Sequence, residues 1–162
     1  MNIPFRSGEE KKLKAGDVVL LSGNVYTARD AAHKKMNNRL PDYLKGETIY
    51  YAGPAPAKPK KAIGSCGPTT SSRMDVFTPV LIKQGLKAMI GKGKRSQEVK
   101  NAIKKYHAVY FLAIGGCGAF FSTKIKKAKI VAYEDLGPES IYKLYIKDFP
   151  VIVGIDSYGR TV

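Results

Sequence analysis

The fold is organised around one stretch, Gly64-Ser65-Cys66-Gly67-Pro68-Thr69-Thr70-Ser71-Ser72-Arg73-Met74-Asp75. Its glycines permit a tight turn, and Pro68 fixes one backbone dihedral and has no N–H that needs a partner. A helix-like segment follows, for which Thr69 or Thr70 supplies the N-cap, so that backbone N–H groups point out of the helix start. Arg73 falls on or near this first turn. Hydroxyls, amides and a guanidinium converge here, which is the chemistry of an anion site; the simpler alternative is a capped helix after a glycine turn.

Length and charge limit the classes of protein and partner. A chain of 162 residues predicts a single domain, 1–162, with enough residues to bury a core. It carries 28 Lys and Arg against 13 Asp and Glu, a formal charge of +15. Such an excess favours an anionic partner, which includes nucleic acid, a membrane surface, an acidic subunit or a small polyanion. A lysine-rich, solvated surface is the alternative.

The sequence predicts a cytoplasmic protein without a membrane segment. Residues 1–6 lack the apolar core of a secretory signal, and the longest apolar stretch, 108–121, contains three glycines and is too short to span a bilayer. The two cysteines, Cys66 and Cys117, fit a reducing compartment. Together with two scattered histidines they do not complete a metal site, so any iron would take most of its ligands from another chain.

Hydrophobic patterning predicts an α/β class with a mainly parallel sheet. Predicted strands cover 18–22, 47–52, 86–90, 108–114, 128–133 and 150–156. Predicted helices cover 28–36, opened by a capping box of Thr27 and Asp30, then 78–84, a helix capped by Ser96, and 137–147. Glycine-rich turns at Gly64, Gly91 and Gly115 each follow a strand, so the three turns can share one rim beyond the strand ends, where such sheets bind ligands.

Three stretches, ARDAAH at 28–33, GPTTSSRM at 67–74 and GKG at 91–93, resemble the C-terminal region of class I, iron–sulfur fumarases. The best match is the separate beta subunit of two-subunit fumarate hydratases, and L-tartrate dehydratase beta subunits are similar. The resemblance covers nearly the whole chain in the right order, and the GPTT…RM string is its specific part. It implies the swivelling β/β/α domain. One departure is Gly-Gly-Cys-Gly at 115–118, where the family has Gly-Gly-Ala-Ala, and Cys117 is left unassigned.

The resemblance also implies the reaction and the partner. The reaction is reversible addition of water to fumarate, giving (S)-malate, as in the tricarboxylic acid cycle. A 4Fe-4S cluster is held by three cysteines of a partner alpha subunit, with one iron open to the substrate, so this chain supplies no metal ligand. A heterotetramer of two alpha and two beta subunits is expected.

Five site residues are implied by the same resemblance. Arg29, Arg73 and Lys92 contact substrate carboxylates, and Thr69 and Thr70 lie at the reacting carbons, with Thr69 part of the base. A dicarboxylate needs at least two cationic clamps, and each charge-assisted bond contributes about 1.5–3 kcal/mol.

Threonine is a weak base, and this limits what the chain can do alone. Ionising a hydroxyl as weakly acidic as that of water at pH 7 costs about 12 kcal/mol, and a helix terminus returns only about 1–2 kcal/mol. Thr69 must therefore pass its proton on as it takes one. Asp75 is predicted to lie on the wrong part of the helix, so we expect the acceptor on the partner and an inactive isolated chain.

Two other functions remain open at this point. An L-tartrate dehydratase beta subunit differs by one hydroxyl on the substrate. A basic nucleic-acid-binding module is the non-enzyme alternative, but no RNA-binding aromatic motif or zinc-finger spacing supports it, and the basic residues are spread along the chain. We interpret His33 as a residue that packs its helix or acts behind the site, and Cys66 as a small apolar filler.

Overall fold

The computed structural model describes residues 1–162, which fold into a mixed α/β domain with seven strands and four short helices. The strands are β1 (Asn2–Ile3), β2 (Val18–Thr27), β3 (Thr48–Tyr50), β4 (Ala88–Gly91), β5 (Val109–Leu112), β6 (Ile125–Ala132) and β7 (Ile141–Ile155). The helices are α1 (Asp30–Met36), α2 (Thr78–Lys83), α3 (Gln97–Tyr106) and α4 (Gly118–Lys124). Single 3-10 segments cover Glu9–Lys12, Asp42–Leu44, Ser71–Met74 and Glu134–Glu139. None of the four α-helices is long and apolar enough to cross a membrane.

The sheet closes into a barrel because β7 pairs with both β5 and β2. The strand order is β1-β2-β3-β4-β5-β7-β6, and β2 also pairs with β7, so that β2, β3, β4, β5 and β7 form a five-stranded barrel. Pairings from β1 to β5 are parallel, whereas β7 runs antiparallel to β2, β5 and β6. The predicted α/β class is confirmed, but the sheet is mixed rather than mainly parallel.

The strand β7 corrects the largest error of the sequence prediction. The helix predicted at 137–147 is wrong, because Ile141–Ile155 is one strand of 15 residues that follows a short 3-10 segment. Its first half, IYKLYIK, is rich in β-branched and aromatic residues that favour a pleated surface. Leu144 and Ile146 are fully buried, whereas Tyr145 between them is exposed, which is the period of a strand.

The start of α1 also differs from the prediction. Thr27 does not cap the helix, because its hydroxyl donates to the Ser140 carbonyl oxygen and accepts from the Tyr142 N–H, 3.0 Å away. The residue at the helix start is Arg29, in extended conformation. Thr27 therefore ties the end of β2 to the start of β7. The Ser96 cap is confirmed, since its hydroxyl accepts from the Val99 N–H of α3.

Two apolar cores fill the domain, one inside the barrel and one between the barrel and its helices. Neighbouring residues of β4 belong to different cores: Ile90 points into the barrel, and Met89 lies under the helices with Ile82 and Ile103. This two-sided burial explains why β4 has a continuous apolar sequence. Each fully buried aliphatic side chain contributes about 1.5–3 kcal/mol, so both faces of the sheet are well anchored.

Candidate active site

The stretch 64–75 lies across the ends of β3 and β4. The Thr69 N–H donates to the Tyr51 carbonyl oxygen at 2.6 Å, and the Ser71 N–H donates to the Lys92 carbonyl oxygen at 3.0 Å. Thr70 and Lys92 form a parallel bridge. Only then does one 3-10 turn, Ser71–Met74, begin.

The predicted N-cap role of the threonines is therefore corrected. Thr70 precedes the 3-10 turn, but no side chain caps this turn, because it is only four residues long and the backbone bonds to β3 and β4 already fix it. The Thr70 side chain is exposed, and Thr69 is half-buried. Both hydroxyls are thus left without a structural partner in the chain.

The two predicted arginines meet at one carboxylate. Arg73 donates from Nε and Nη2 to the two oxygens of Asp30, at 3.0 and 2.8 Å. Asp30 is the first residue of α1, and Arg29 directly before it has its Nε 4.0 Å from Asp30 Oδ2 and 4.0 Å from Glu139 Oε1. The Arg29 Nε is buried and has no hydrogen-bond partner. A buried donor without an acceptor is costly, so this guanidinium is suited to an incoming anion.

Lys92 follows β4 and reaches towards the loop after β5. A Cβ on Gly115 would lie 3.2 Å from Lys92 Cδ and 3.4 Å from its Nζ, so the lysine side chain runs directly over this glycine. Lys92 takes part in none of the eight ion pairs of the chain. Its ammonium group therefore has no internal carboxylate to neutralise it.

The three turns do share one rim, as the sequence predicts. The Cys66 N–H donates to the Gly118 carbonyl oxygen at 3.1 Å, and a side chain on Gly118 would collide with the Ser65 hydroxyl. Lys92, whose side chain lies over Gly115, also forms the backbone bridge with Thr70, three residues before Arg73. Only the expectation that a strand precedes Gly64 is wrong, because the proline-rich segment from 51 to 69 contains no strand.

Sequence reasoning missed a second arginine–aspartate pair behind this rim. The Arg95 side chain is fully buried and donates from Nε to Asp75 at 2.7 Å, and from Nη2 to the Thr78 hydroxyl at 2.9 Å. Its guanidinium lies 5.2 Å from the ring centre of Tyr51 and 4.8 Å from that of Tyr110. Burial opposes the charge, but Tyr51 and Asp75 outweigh it and hold the pKa of Arg95 above its ordinary value.

The Arg95–Asp75 pair holds two segments of the candidate site together. Asp75 ends the turn that carries Arg73, and its second oxygen accepts from the Ser96 N–H at 2.6 Å. Arg95 belongs to the loop that carries Lys92. The pair therefore fixes the two segments with predicted cations relative to each other. No local pattern joins Asp75 to Arg95, 20 residues further along, so the sequence offers no signal for it.

His33 anchors Arg29 through the backbone. The imidazole is buried, with Nδ1 2.8 Å from the Arg29 carbonyl oxygen and its ring against Tyr51 and Phe77. Because a carbonyl only accepts, Nδ1 must carry the hydrogen. Burial lowers the pKa of His33 to about 4, so the ring is neutral at pH 7. His33 therefore packs its helix and also holds the backbone of Arg29, and both parts of its interpretation stay open.

The side chains of this chain do not form a ligand set for an iron–sulfur cluster. No group of three or more His, Cys, Asp or Glu side chains converges anywhere in the structure. Burial raises the pKa of the Cys66 thiol to about 12, so it stays protonated, and Cys117 is half-buried at the start of α4. Since such clusters need three or four thiolates, the two cysteines do not fit one. The burial of Cys66 among apolar residues confirms its role as a filler.

The candidate site thus consists of three cationic side chains, Arg29, Arg73 and Lys92, near a threonine turn on one rim of an α/β barrel. A sequence model described as Fumarase C-terminus matches residues 4–162, and the chain belongs to this family. A protein of Methanocaldococcus jannaschii, named "Putative L(+)-tartrate dehydratase subunit beta", is 39% identical over 164 residues, which cover 94% of this chain and 84% of that protein.

Longer relatives carry the fumarase name. The aerobic class I fumarate hydratase of Escherichia coli K12 is 42% identical over 148 residues, covering 86% of this chain and 27% of that protein. Fumarate hydratase 2 of Leishmania major is 38% identical over 153 residues, covering 90% and 27%. This chain thus spans about a quarter of the length of these fumarate hydratases. The resemblance found in the sequence is confirmed.

Proposed function

We propose that this chain is the beta subunit of a hydro-lyase that interconverts (S)-malate with fumarate and water. The observation that carries the proposal is the single strip running from Arg29 through Asp30 and Arg73 to Thr70 and Lys92. It combines two guanidinium groups, an ammonium group without a carboxylate partner and two hydroxyls on one rim of the barrel. Such a strip suits a small dicarboxylate, and the family membership supports the same reaction class.

Substrate carboxylates would bind at the two ends of the strip. Arg73 already holds the Asp30 carboxylate with two parallel bonds, which is the geometry that a substrate carboxylate requires. The Arg73 side chain is 52% exposed, so its pair with Asp30 is weak, and a ligand can displace it. Arg29 offers its buried Nε beside this position, and Lys92 would hold the second carboxylate.

Proton transfer would fall to the threonines, with help from outside the chain. The Thr69 N–H donates to the Tyr51 carbonyl oxygen, which fixes the backbone of Thr69 at the rim. Asp75, the nearest carboxylate in sequence, already accepts hydrogen bonds from Arg95 and the Ser96 N–H, and we do not assign it as the proton acceptor. We therefore assign the final proton acceptor to the alpha subunit. That subunit would also carry the 4Fe-4S cluster, in a cytoplasmic heterotetramer of two alpha and two beta subunits.

L-Tartrate dehydration is the second candidate reaction. One observation favours it: the relative matched over most of both chains carries that enzyme's name. The two substrates differ by one hydroxyl group. The strip described above binds carboxylates and contains no feature of this chain that selects for or against that hydroxyl, so the alpha subunit would decide between them.

The proposal is tested by co-expressing the chain with its alpha subunit and purifying the assembly without oxygen. Initial rates with malate and with tartrate are compared for the assembly and for the isolated chain. We expect hydro-lyase activity only in the assembly. Arg73→Ala should lower kcat/KM by about 10- to 150-fold, equivalent to one charge-assisted bond, whereas Arg39→Ala, at an exposed arginine outside the strip, should leave it unchanged. An active isolated chain, or an unchanged rate in Arg73→Ala, contradicts the proposal.

A further inference from the structure

One outer face of the barrel is apolar, although nothing in the chain covers it. Val18 and Ile114 are 76% and 66% exposed, and Leu20 and Phe120 are 50% and 49% exposed. Together with Pro150 and Ile152 these side chains form what we call the apolar face, which surrounds a groove of about 330 Å³. Scattered exposed apolar residues are ordinary on a soluble protein, but a contiguous group of this kind marks a binding surface.

The apolar face is built by paired strands, not by a loop. On neighbouring strands, Val18 lies opposite Ile152 and Leu20 opposite Pro150, and Leu112 of β5 pairs with Ile152 on the other side. The other end of the same sheet is different, because Lys127 and Lys129 of β6 are exposed there. A sheet face in contact with water normally carries polar side chains, as Lys127 and Lys129 of β6 do. The apolar face departs from this pattern.

The apolar face is continuous with the candidate active site. Ile114 directly precedes Gly115, over which the Lys92 side chain lies. Cys117 lines the groove and is followed by Gly118, whose carbonyl oxygen holds the Cys66 N–H of the central stretch. A partner polypeptide that covers the apolar face would thus reach the rim beside Lys92, where the strip lacks a proton acceptor.

The longer relatives indicate which polypeptide would bind the apolar face. This chain matches about a quarter of their length, and the family description places the matched part at the C-terminus of such proteins. Their additional polypeptide therefore precedes the matched domain. In this structure the Met1 ammonium donates to the Leu20 carbonyl oxygen at 2.7 Å, so a preceding polypeptide would join the domain at the border of the apolar face.

We propose that the apolar face is the docking surface for the alpha subunit, and that docking there completes the site beside Lys92. The inference rests on the proposed function, from which it takes the identity of the partner. Its occupant is the alpha polypeptide, because the longer relatives carry additional polypeptide ahead of the matched domain.

Charge substitutions on exposed positions test this directly. Ile114→Asp and Leu20→Asp should each weaken binding of the co-expressed alpha subunit by at least about 10-fold, measured by sedimentation velocity on the purified assembly. Ile130→Asp is the matched control, since Ile130 is 39% exposed on β6, away from the groove, and it should change affinity less than about twofold. Circular dichroism of each isolated variant checks that it is folded.

A second measurement leaves the sequence unchanged. Cys117 should react with iodoacetamide at least about fivefold more slowly in the assembly than in the isolated chain, whereas the fully buried Cys66 should stay unmodified in both. Peptide mass spectrometry separates the two thiols. Slower modification of Cys117 supports docking at the groove, and an equal rate in both samples overturns it.

The remaining outcomes separate this inference from the proposed function. If the alpha subunit binds wild type and both aspartate variants equally, the docking surface lies elsewhere, and the proposed function stands. If Ile114→Asp only converts a dimer of the isolated chain to a monomer and leaves alpha binding intact, the apolar face joins two copies, and the inference is wrong. If wild type binds no alpha subunit at all, the proposed function and the inference fail together.

Discussion

Two arginine–aspartate pairs with nearly equal bond lengths have opposite surroundings in this domain. The Arg73–Asp30 contact measures 2.8 Å, and the Arg95–Asp75 contact measures 2.7 Å. The Arg73 side chain is 52% exposed, whereas the Arg95 side chain is fully buried. Exposed pairs contribute about 0–1 kcal/mol, but removing one partner of a buried pair costs about 3–5 kcal/mol. Exposure therefore leaves the Arg73 guanidinium available to a ligand, whereas burial makes the Arg95 guanidinium part of the fold.

The comparison predicts its largest effect on stability at Arg95. Arg95→Met removes the guanidinium that pairs with the Asp75 carboxylate and donates to the Thr78 hydroxyl, so the free energy of unfolding should fall by about 3–5 kcal/mol. Urea denaturation of the isolated chain, followed by circular dichroism, measures this. The double variant Arg95→Met with Asp75→Leu should recover a large part of the loss, because it removes the stranded charge as well. A loss below about 1 kcal/mol in the single variant would mean that the buried pair is no more important than a surface one.

A second effect is expected at His33, whose ring packs against Tyr51 and Phe77 beneath the Arg29 carbonyl oxygen. Its pKa is about 4 in the folded chain, against 6.5 as the ordinary value. Because the folded pKa is the lower one, the unfolded chain binds the proton more readily, and the contribution is fully present above pH 6.5. It is lost as pH falls towards 4, by about 3 kcal/mol in total.

The pH effect is measured as the difference in unfolding free energy between pH 7 and pH 4. His33→Asn should remove this component, since its amide can donate to the Arg29 carbonyl oxygen without titrating. His107→Asn is the control, because His107 is only half-buried. Equal pH dependence in wild type and His33→Asn would contradict the assignment.

The smallest effect on stability is expected at Arg73. Arg73→Ala should change the free energy of unfolding by less than about 1 kcal/mol, because its pair with Asp30 is exposed to solvent. The same urea titration gives this value, and it sharpens the contrast with the large loss of activity expected for the assembled enzyme. A stability loss comparable to that of Arg95→Met would show that Arg73 is structural and would weaken its assignment to substrate.

Local sequence patterns predicted most helices and strands, whereas the barrel depends on pairing between strands that are far apart in the sequence. Alternation and apolar runs located β4 and β5, and the Ser96 signal located the start of α3. The same rules failed at residues 141–147, where β-branched and aromatic residues form a strand that pairs with β2 and β6 on either side. The barrel closes through pairs such as Val18 with Ile152, and no window of neighbouring residues contains both.

The candidate site divides in the same way. The resemblance selected Thr69, Thr70, Arg73, Arg29 and Lys92, and the structure places them along one rim. It could not show that Asp30 binds Arg73, because the two are 43 residues apart, or that Arg95 holds the Lys92 loop against Asp75. Those partners have no motif of their own, since a single aspartate or arginine becomes informative only when the fold brings its counterpart to it.

Closure of the barrel by β7 sets the order in which this protein can be made. Residues 18–27 wait for a neighbour that emerges from the ribosome more than 110 residues later, since Val18 pairs with Ile152 and Tyr26 with Lys143. Contacts so distant in sequence are slow to form. Pro150 and Ile152, which line the groove, belong to this last strand. A chain that ends before β7 would therefore lack both these groove residues and the closed barrel.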